Sequence, residues 1–212
     1  MNTASHPIFT DADEGLHPTG ESPLWQESVL LHWYDREQGI GGFHRLGHEA
    51  NNQGGRAAIW SFLFDRSGWQ YRRCSEAPLQ STDRYPGGFS AAPALRFRFD
   101  GGTAFWDVED GPLRAHLACE NLFPIVDPFP KADEVAAKRF PNHFEVAGRV
   151  TGEVIYEGRR VAVRGFGYRD HSCGPRDLSE YIGSDFCWSA FPSGRTFVAA
   201  DIFFETSDYN KR

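Results

Sequence analysis

With 212 residues, 40% of them hydrophobic and 15% aromatic, the chain can bury one large core or two modest ones. A formal charge of −7 and the lack of any Lys/Arg-dense face exclude a nucleic-acid partner, whether duplex or a single strand stacked on aromatics. No apolar run reaches the roughly 18 residues of a spanning helix, and the polar residues 1–20 lack the apolar centre of a secretory signal, so no transmembrane segment and a cytoplasmic location are expected.

Eighteen Phe, seven Tyr and six Trp beside a single Met favour pleated surfaces, on which aromatic side chains pack well, so an all-β fold is expected. Residues 1–26, interrupted by Pro7, Gly15, Pro18, Gly20 and Pro23, read as an N-terminal arm to which no chemistry is assigned. From Ser28 the pattern becomes strand and turn: Ser28 to Tyr34, a turn ending at Gly39, then Gly41 to Leu46. The glycines Gly39, Gly41 and Gly42 make a hairpin turn, since the Gly-Lys-Ser/Thr ending of a phosphate loop is missing. Ala57 to Asp65 places Ala58, Trp60, Phe62 and Phe64 on one face, and Trp69 to Cys74 returns beside it. Ala94 to Asp100 alternates Leu95, Phe97 and Phe99 with charged residues, turns at Gly101-Gly102 and returns through Thr103 to Val108, before Leu113 to Ala118. Such successive hairpins make an antiparallel meander.

A loop holding Pro124, Pro128 and Pro130 forbids both helix and central strand and is taken as the domain boundary. Beyond it come a helix over Lys131 to Arg139, a hairpin of His143 to Tyr156 with Arg159 to Tyr168, and another of Asp185 to Phe191 with Arg195 to Phe204. About four strands are too few to close a barrel of ~8. Thr196 to Phe204 is apolar on both faces, so the chain is expected either to be a truncated piece of a longer protein or to self-associate through an unpaired strand edge. Cys74, Cys119, Cys173 and Cys187 are widely separated and read as free thiols, mostly buried.

The densest chemistry lies at Gly165 to Asp177, where Arg169, Asp170, His171, Arg176 and Asp177 crowd the end of a strand. Strand register puts Arg164, Phe166, Tyr168 and Asp170 on one side and Gly165, Gly167, Arg169 and His171 on the other. A carboxyl group set among aromatic rings has its ionised form disfavoured and can serve as a general acid, for instance toward an alkene. The other reading is a buried salt-bridge network of Arg169, Asp170, Arg176 and Asp177 that locks the strand end. His143 and Glu145 share a strand face and supply a second polar pair; with His171 they match no zinc spacing, so no metal site is expected. Ser172 lacks a nucleophile elbow.

Gly165 to Arg176 resembles the G-x-G-x-R-D-H-S-W-G-x-R signature of the carotenoid 1,2-hydratase (hydroxyneurosporene synthase)-like superfamily, with Cys173 where the signature has Trp. His143-Phe144-Glu145, Gly152 and Gly158 resemble the stretch before it, and Glu27-Ser28, Asp35 and Gly39 to Gly47 the first hairpin. The resemblance implies two tandem antiparallel lipocalin-like β-barrels: the arm 1–26, a first barrel over 27–130, and a linker helix with the opening half of a second barrel over 131–212. It also implies a hydrophobic isoprenoid- or lipid-like substrate and cofactor-independent hydration or cyclisation, catalysed by Asp170 and His171. Phe166, Tyr168, Arg169, Arg176, His143 and Glu145 would contact the substrate. The alternative is a non-catalytic carrier of a hydrophobic small molecule.

Overall fold

The computed structural model describes residues 9–128, 142–191 and 193–205. Among the described residues thirteen strands are formed: β1 Trp25–Asp35, β2 Ile40–Glu49, β3 Arg56–Asp65, β4 Gln70–Pro78, β5 Arg84–Tyr85, β6 Gly88–Ala91, β7 Leu95–Asp100, β8 Thr103–Asp110, β9 Leu113–Asn121, β10 His143–Tyr156, β11 Arg159–Pro175, β12 Tyr181–Ala190 and β13 Thr196–Phe204. The fold is all-β and antiparallel. Eleven strands make one sheet in the order β4-β3-β2-β1-β11-β10-β9-β8-β7-β6-β5, while β12 and β13 form a separate ribbon.

Turn chemistry accounts for the hairpins. Gly101 and Gly102, and likewise Glu157 and Gly158, all have positive φ, as a two-residue turn matched to the strand twist requires. The sheet curls until β2 and β3 come against β7 and β6. Its inner face carries one continuous core, in which Val29, Leu31 and Trp33 of β1 join Leu46, Ile59, Phe97, Trp106 and Val150. Alternation is clean along β1: residues 29, 31, 33 and 35 are buried, whereas residues 30, 32 and 34 are not.

The proline-rich loop does not divide the protein where the sequence suggested. β10 pairs with β9, and β11 pairs with β1 from Trp25↔Pro175 to Tyr34↔Phe166, so a cut at 130/131 would separate hydrogen-bonded neighbours. Residues 143–175 therefore complete the first sheet, because their inward Phe144, Val146, Val150 and Val154 are buried with the core of the preceding strands. The expected helix over Lys131 to Arg139 lies outside the described residues. Gly165 and Gly167 admit the close approach of a neighbouring backbone: a Cβ on Gly165 would stand 2.2 Å from the Tyr34 carbonyl oxygen of β1. No described helix is long and apolar enough to cross a membrane.

Candidate functional site

The outer face of the sheet is a grid of cross-strand rows. One row runs Trp60, Arg45, Leu30, Asp170, Glu145; the next runs Phe62, Phe43, His32, Tyr168, Ala147; a third runs Phe64, Gly41, Tyr34, Phe166, Arg149. Four of the sequence-predicted residues, Phe166, Tyr168, Asp170 and Glu145, thus share this face, and His143 follows opposite Ser172 in the adjoining row. The β12–β13 ribbon reaches over it: Phe186 stacks on His32 at 5.1 Å between centroids and tilts against Tyr168 at 5.6 Å. Between ribbon and sheet opens a cleft of about 1190 Å³. Its walls include His32, Tyr34, Phe43, Phe64, Phe166 and Trp188.

Asp170 lies just beyond this cleft. It is half-buried, and it makes no hydrogen bond or ion pair among the described residues. Burial pushes its carboxyl group up, the facing Glu145 adds to the rise, and His143, Arg176 and Arg45 pull against it. Glu145 is the hub of the polar row: the Tyr168 hydroxyl donates to its Oε2, and His143 Nε2 stands 3.1 Å from its Oε1. Tyr168 is held protonated by burial and by the Glu145 charge. Burial lowers His32 to about 4, so it faces the cleft as a neutral imidazole at pH 7. Arg176 borders a smaller pocket of about 220 Å³ with Trp25 and Glu49, and burial lowers its pKa to about 10.

Two predicted residues stand elsewhere. Arg169 and His171 occupy the core face, on the opposite side of the sheet from Asp170, and are 1% and 0% exposed. They cannot touch a molecule in the cleft, because consecutive strand residues project to opposite faces. Nor does Arg169 pair with Asp170. Its guanidinium grips Glu14 of the arm, with Nη1 donating to Oε2 at 2.7 Å and Nη2 to Oε1, while Nη2 also donates to Asn121 Oδ1 at 2.7 Å. His171 lies with Nε2 at 3.2 Å from Glu27 Oε1, and His17 Nδ1 approaches the same oxygen to 2.8 Å. The neighbouring Cys173, with the hydrogen bond to Glu27, raises His17 to about 10 against the effect of burial. Burial of Glu27 opposes its ionisation, but hydrogen bonds from His17 and His171 prevail and hold it at about 2.

A family pattern described as a domain of unknown function, DUF7064, matches residues 10–211. The chain belongs to the DUF7064 family. No curated protein matches the chain. Among solved structures, NE1406 of Nitrosomonas europaea, described as an AttH, superposes with a TM-score of 0.74 at 12% identity over 96% of this chain and 67% of that one. CghA in complex with Sch210972 superposes with a TM-score of 0.55 at 13% identity, over 87% of this chain and 59% of that one. CghA alone gives 0.53. The shared feature is the fold, a lipocalin-like, AttH-type β architecture.

Within this DUF7064 chain, sequence reading passed over Glu14, His17 and Glu27. The arm has no periodicity to place Glu14 in a core, although it is 0% exposed and lies 155 residues from its Arg169 partner. Glu27 did carry a signal: it falls on the inward row with Val29 and Leu31, where a carboxylate needs a partner. His32 and Trp188 were missed as cleft residues because the ribbon that completes the cleft is not hydrogen-bonded to the sheet. Cysteine burial is divided, with Cys119 and Cys173 buried and Cys74 and Cys187 exposed.

Proposed function

We propose that the chain binds a hydrophobic isoprenoid- or lipid-like small molecule in the cleft between the outer sheet face and the β12–β13 ribbon. The observation that carries this is the cleft itself, about 1190 Å³ with aromatic walls. That exceeds the ~300–1,000 Å³ of drug-sized sites and suits a long or bulky ligand. The charged groups among its lining, Arg36, Glu37, Arg66 and Arg164, are exposed, and the aromatic rings supply the apolar part of the wall. The CghA structure containing Sch210972 supports the reading, since it is a related fold holding a small organic molecule.

Retinol is a suitable probe, because its polyene accepts excitation from tryptophan. Saturable quenching at one equivalent is the expected result. Phe43→Ala, which removes a wall ring packed between Trp60 and Phe62, weakens binding by roughly 10–100-fold, the equivalent of one Phe side chain's burial. Unsaturable quenching, or wild-type affinity in Phe43→Ala, would count against the cleft.

A second reading, acid-initiated hydration or cyclisation, rests on the unpaired, half-buried Asp170 and its raised pKa. Asp170 gives its proton to one alkene carbon of a substrate end that reaches past His32 and Tyr168, leaving a cation on the other carbon. The faces of Tyr168 and Phe166 stabilise that cation. Water, oriented by His143 on the same face, adds to it and returns a proton to Asp170; an internal double bond adding instead closes a ring, and proton loss again restores the acid. On this reading Asp170→Asn abolishes turnover of an isoprenoid alkene while retinol affinity stays within about twofold. Undiminished turnover in Asp170→Asn sinks the acid role, and binding with no turnover by wild type leaves a carrier.

A further inference from the structure

On the core face, away from the cleft, three metal-ligating side chains converge with no part in the function proposed above. One ligand atom each from His17, Glu27 and His171 lies within 4.8 Å of the others. His17 Nδ1 and His171 Nε2 stand 2.8 and 3.2 Å from the same oxygen, Glu27 Oε1. Around zinc, with bonds of about 2.0–2.2 Å, tetrahedral ligand atoms are separated by roughly 3.3–3.5 Å. These contacts are therefore already near the edges of such a coordination shell. We propose that His17, Glu27 and His171 form a binding site for a divalent transition metal of the zinc class.

The surroundings have the form of an outer shell. A metal-bound histidine commonly turns its other ring nitrogen to a carboxylate, which fixes tautomer and ring plane. His171 Nδ1 faces Glu14 Oε2 at 3.9 Å and has no hydrogen bond among the described residues, and Glu14 is itself fixed by Arg169. Glu27 Oε2 is buried and likewise without a hydrogen bond among the described residues. Its neighbour Arg84, 3.6 Å away, is committed to the His17 carbonyl and Thr19 Oγ1 at 2.7 Å each. Oε2 thus stays with Arg84 while Oε1 coordinates, and the nearby guanidinium tempers the affinity. The His17 side chain is 28% exposed, which gives an ion a route in and leaves a position for water. Cys173, close to His17 and in the position where the resembled signature has tryptophan, borders the site with a soft donor.

The test uses the full chain without a polyhistidine tag, stripped by chelator, dialysed and titrated with zinc by calorimetry and with cobalt by visible absorption. One equivalent of either metal is expected, with the d–d bands of a four- or five-coordinate cobalt site. His17→Ala, on the arm, and Glu27→Gln, which keeps its shape, should each lower affinity by at least about tenfold. His116→Ala, at an exposed histidine paired with Asp107, should change nothing. Lack of saturable uptake by the wild-type chain overturns the site, as does wild-type affinity in either variant once circular dichroism shows it folded.

Discussion

Arg169→Met is expected to lower the folding stability by about 3–5 kcal/mol, the usual consequence of leaving one partner of a buried ion pair behind. Glu14 is 0% exposed, and among the described residues the only cation gripping both its oxygens is Arg169. Desolvation works against the ionised Glu14, and the nearby His171 ring together with the hydrogen bonds from Arg169 overcomes it and lowers its pKa. Without the guanidinium, the carboxylate must take up a proton or pull the arm out of the core. Arg169 also packs its guanidinium over the Phe99 ring at 5.4 Å and donates to Asn121, so one side chain ties the arm to β9 and to the β7 side of the core. Urea unfolding at pH 7 should move to a midpoint roughly 1.5–2.5 M lower, at a slope of about 2 kcal/mol/M. The double change Glu14→Leu with Arg169→Met should recover much of the loss, because an apolar pair of similar volume leaves no buried charge. A single change costing less than about 1 kcal/mol would mean that the pair contributes as little as a surface salt bridge.

The second large effect is acid sensitivity set by His44. This residue is 0% exposed, flanked by Leu31 and Ser61, and neither ring nitrogen has a partner among the described residues. Burial, with a smaller push from His32, lowers its pKa to about 3. Between pH 6.5 and 3 the unfolded chain therefore binds a proton that the folded chain refuses, and stability falls as pH falls. The slope is up to about 1.4 kcal/mol per pH unit, hence about 2 kcal/mol by pH 5. His44→Leu removes this titration along with two unsatisfied buried atoms, so the variant should be at least as stable as wild type at pH 7.5 and flatter toward acid by about 2 kcal/mol at pH 5. Equal acid slopes in both proteins, from urea unfolding at the two pH values, would show that His44 is not the neutral buried group described.

Local structure was legible in the sequence wherever the physics is local. The two-residue period of Leu95, Phe97 and Phe99, the positive-φ turns at Gly101-Gly102 and Glu157-Gly158, and the division of residues 164–171 between two faces all follow from chain geometry. Long-range pairing left no such trace. β1 meets β11 across some 140 residues, and nothing in either strand names the other, so a proline-rich loop was taken for a boundary. The same limit separated the candidate site into two. Asp170 and His171 are neighbours in sequence and chemically alike as proton carriers, yet the sheet sends one toward the aromatic face and the other into the core with Glu14 and Glu27. The two-residue strand β5 and four-residue β6 escaped because so few residues show no period.

Whether a hydrophobic molecule sits between the sheet and the ribbon is reported directly by the six tryptophan indole N–H groups. The measurement is a proton–nitrogen correlation spectrum of the indoles before and after one equivalent of retinol. With the ligand in the cleft, the Trp188 signal, from the cleft wall, shifts strongly, while Trp106, 0% exposed in the core, does not move. A shift at Trp106 with Trp188 unchanged would place the ligand inside the curled sheet and rule out the cleft.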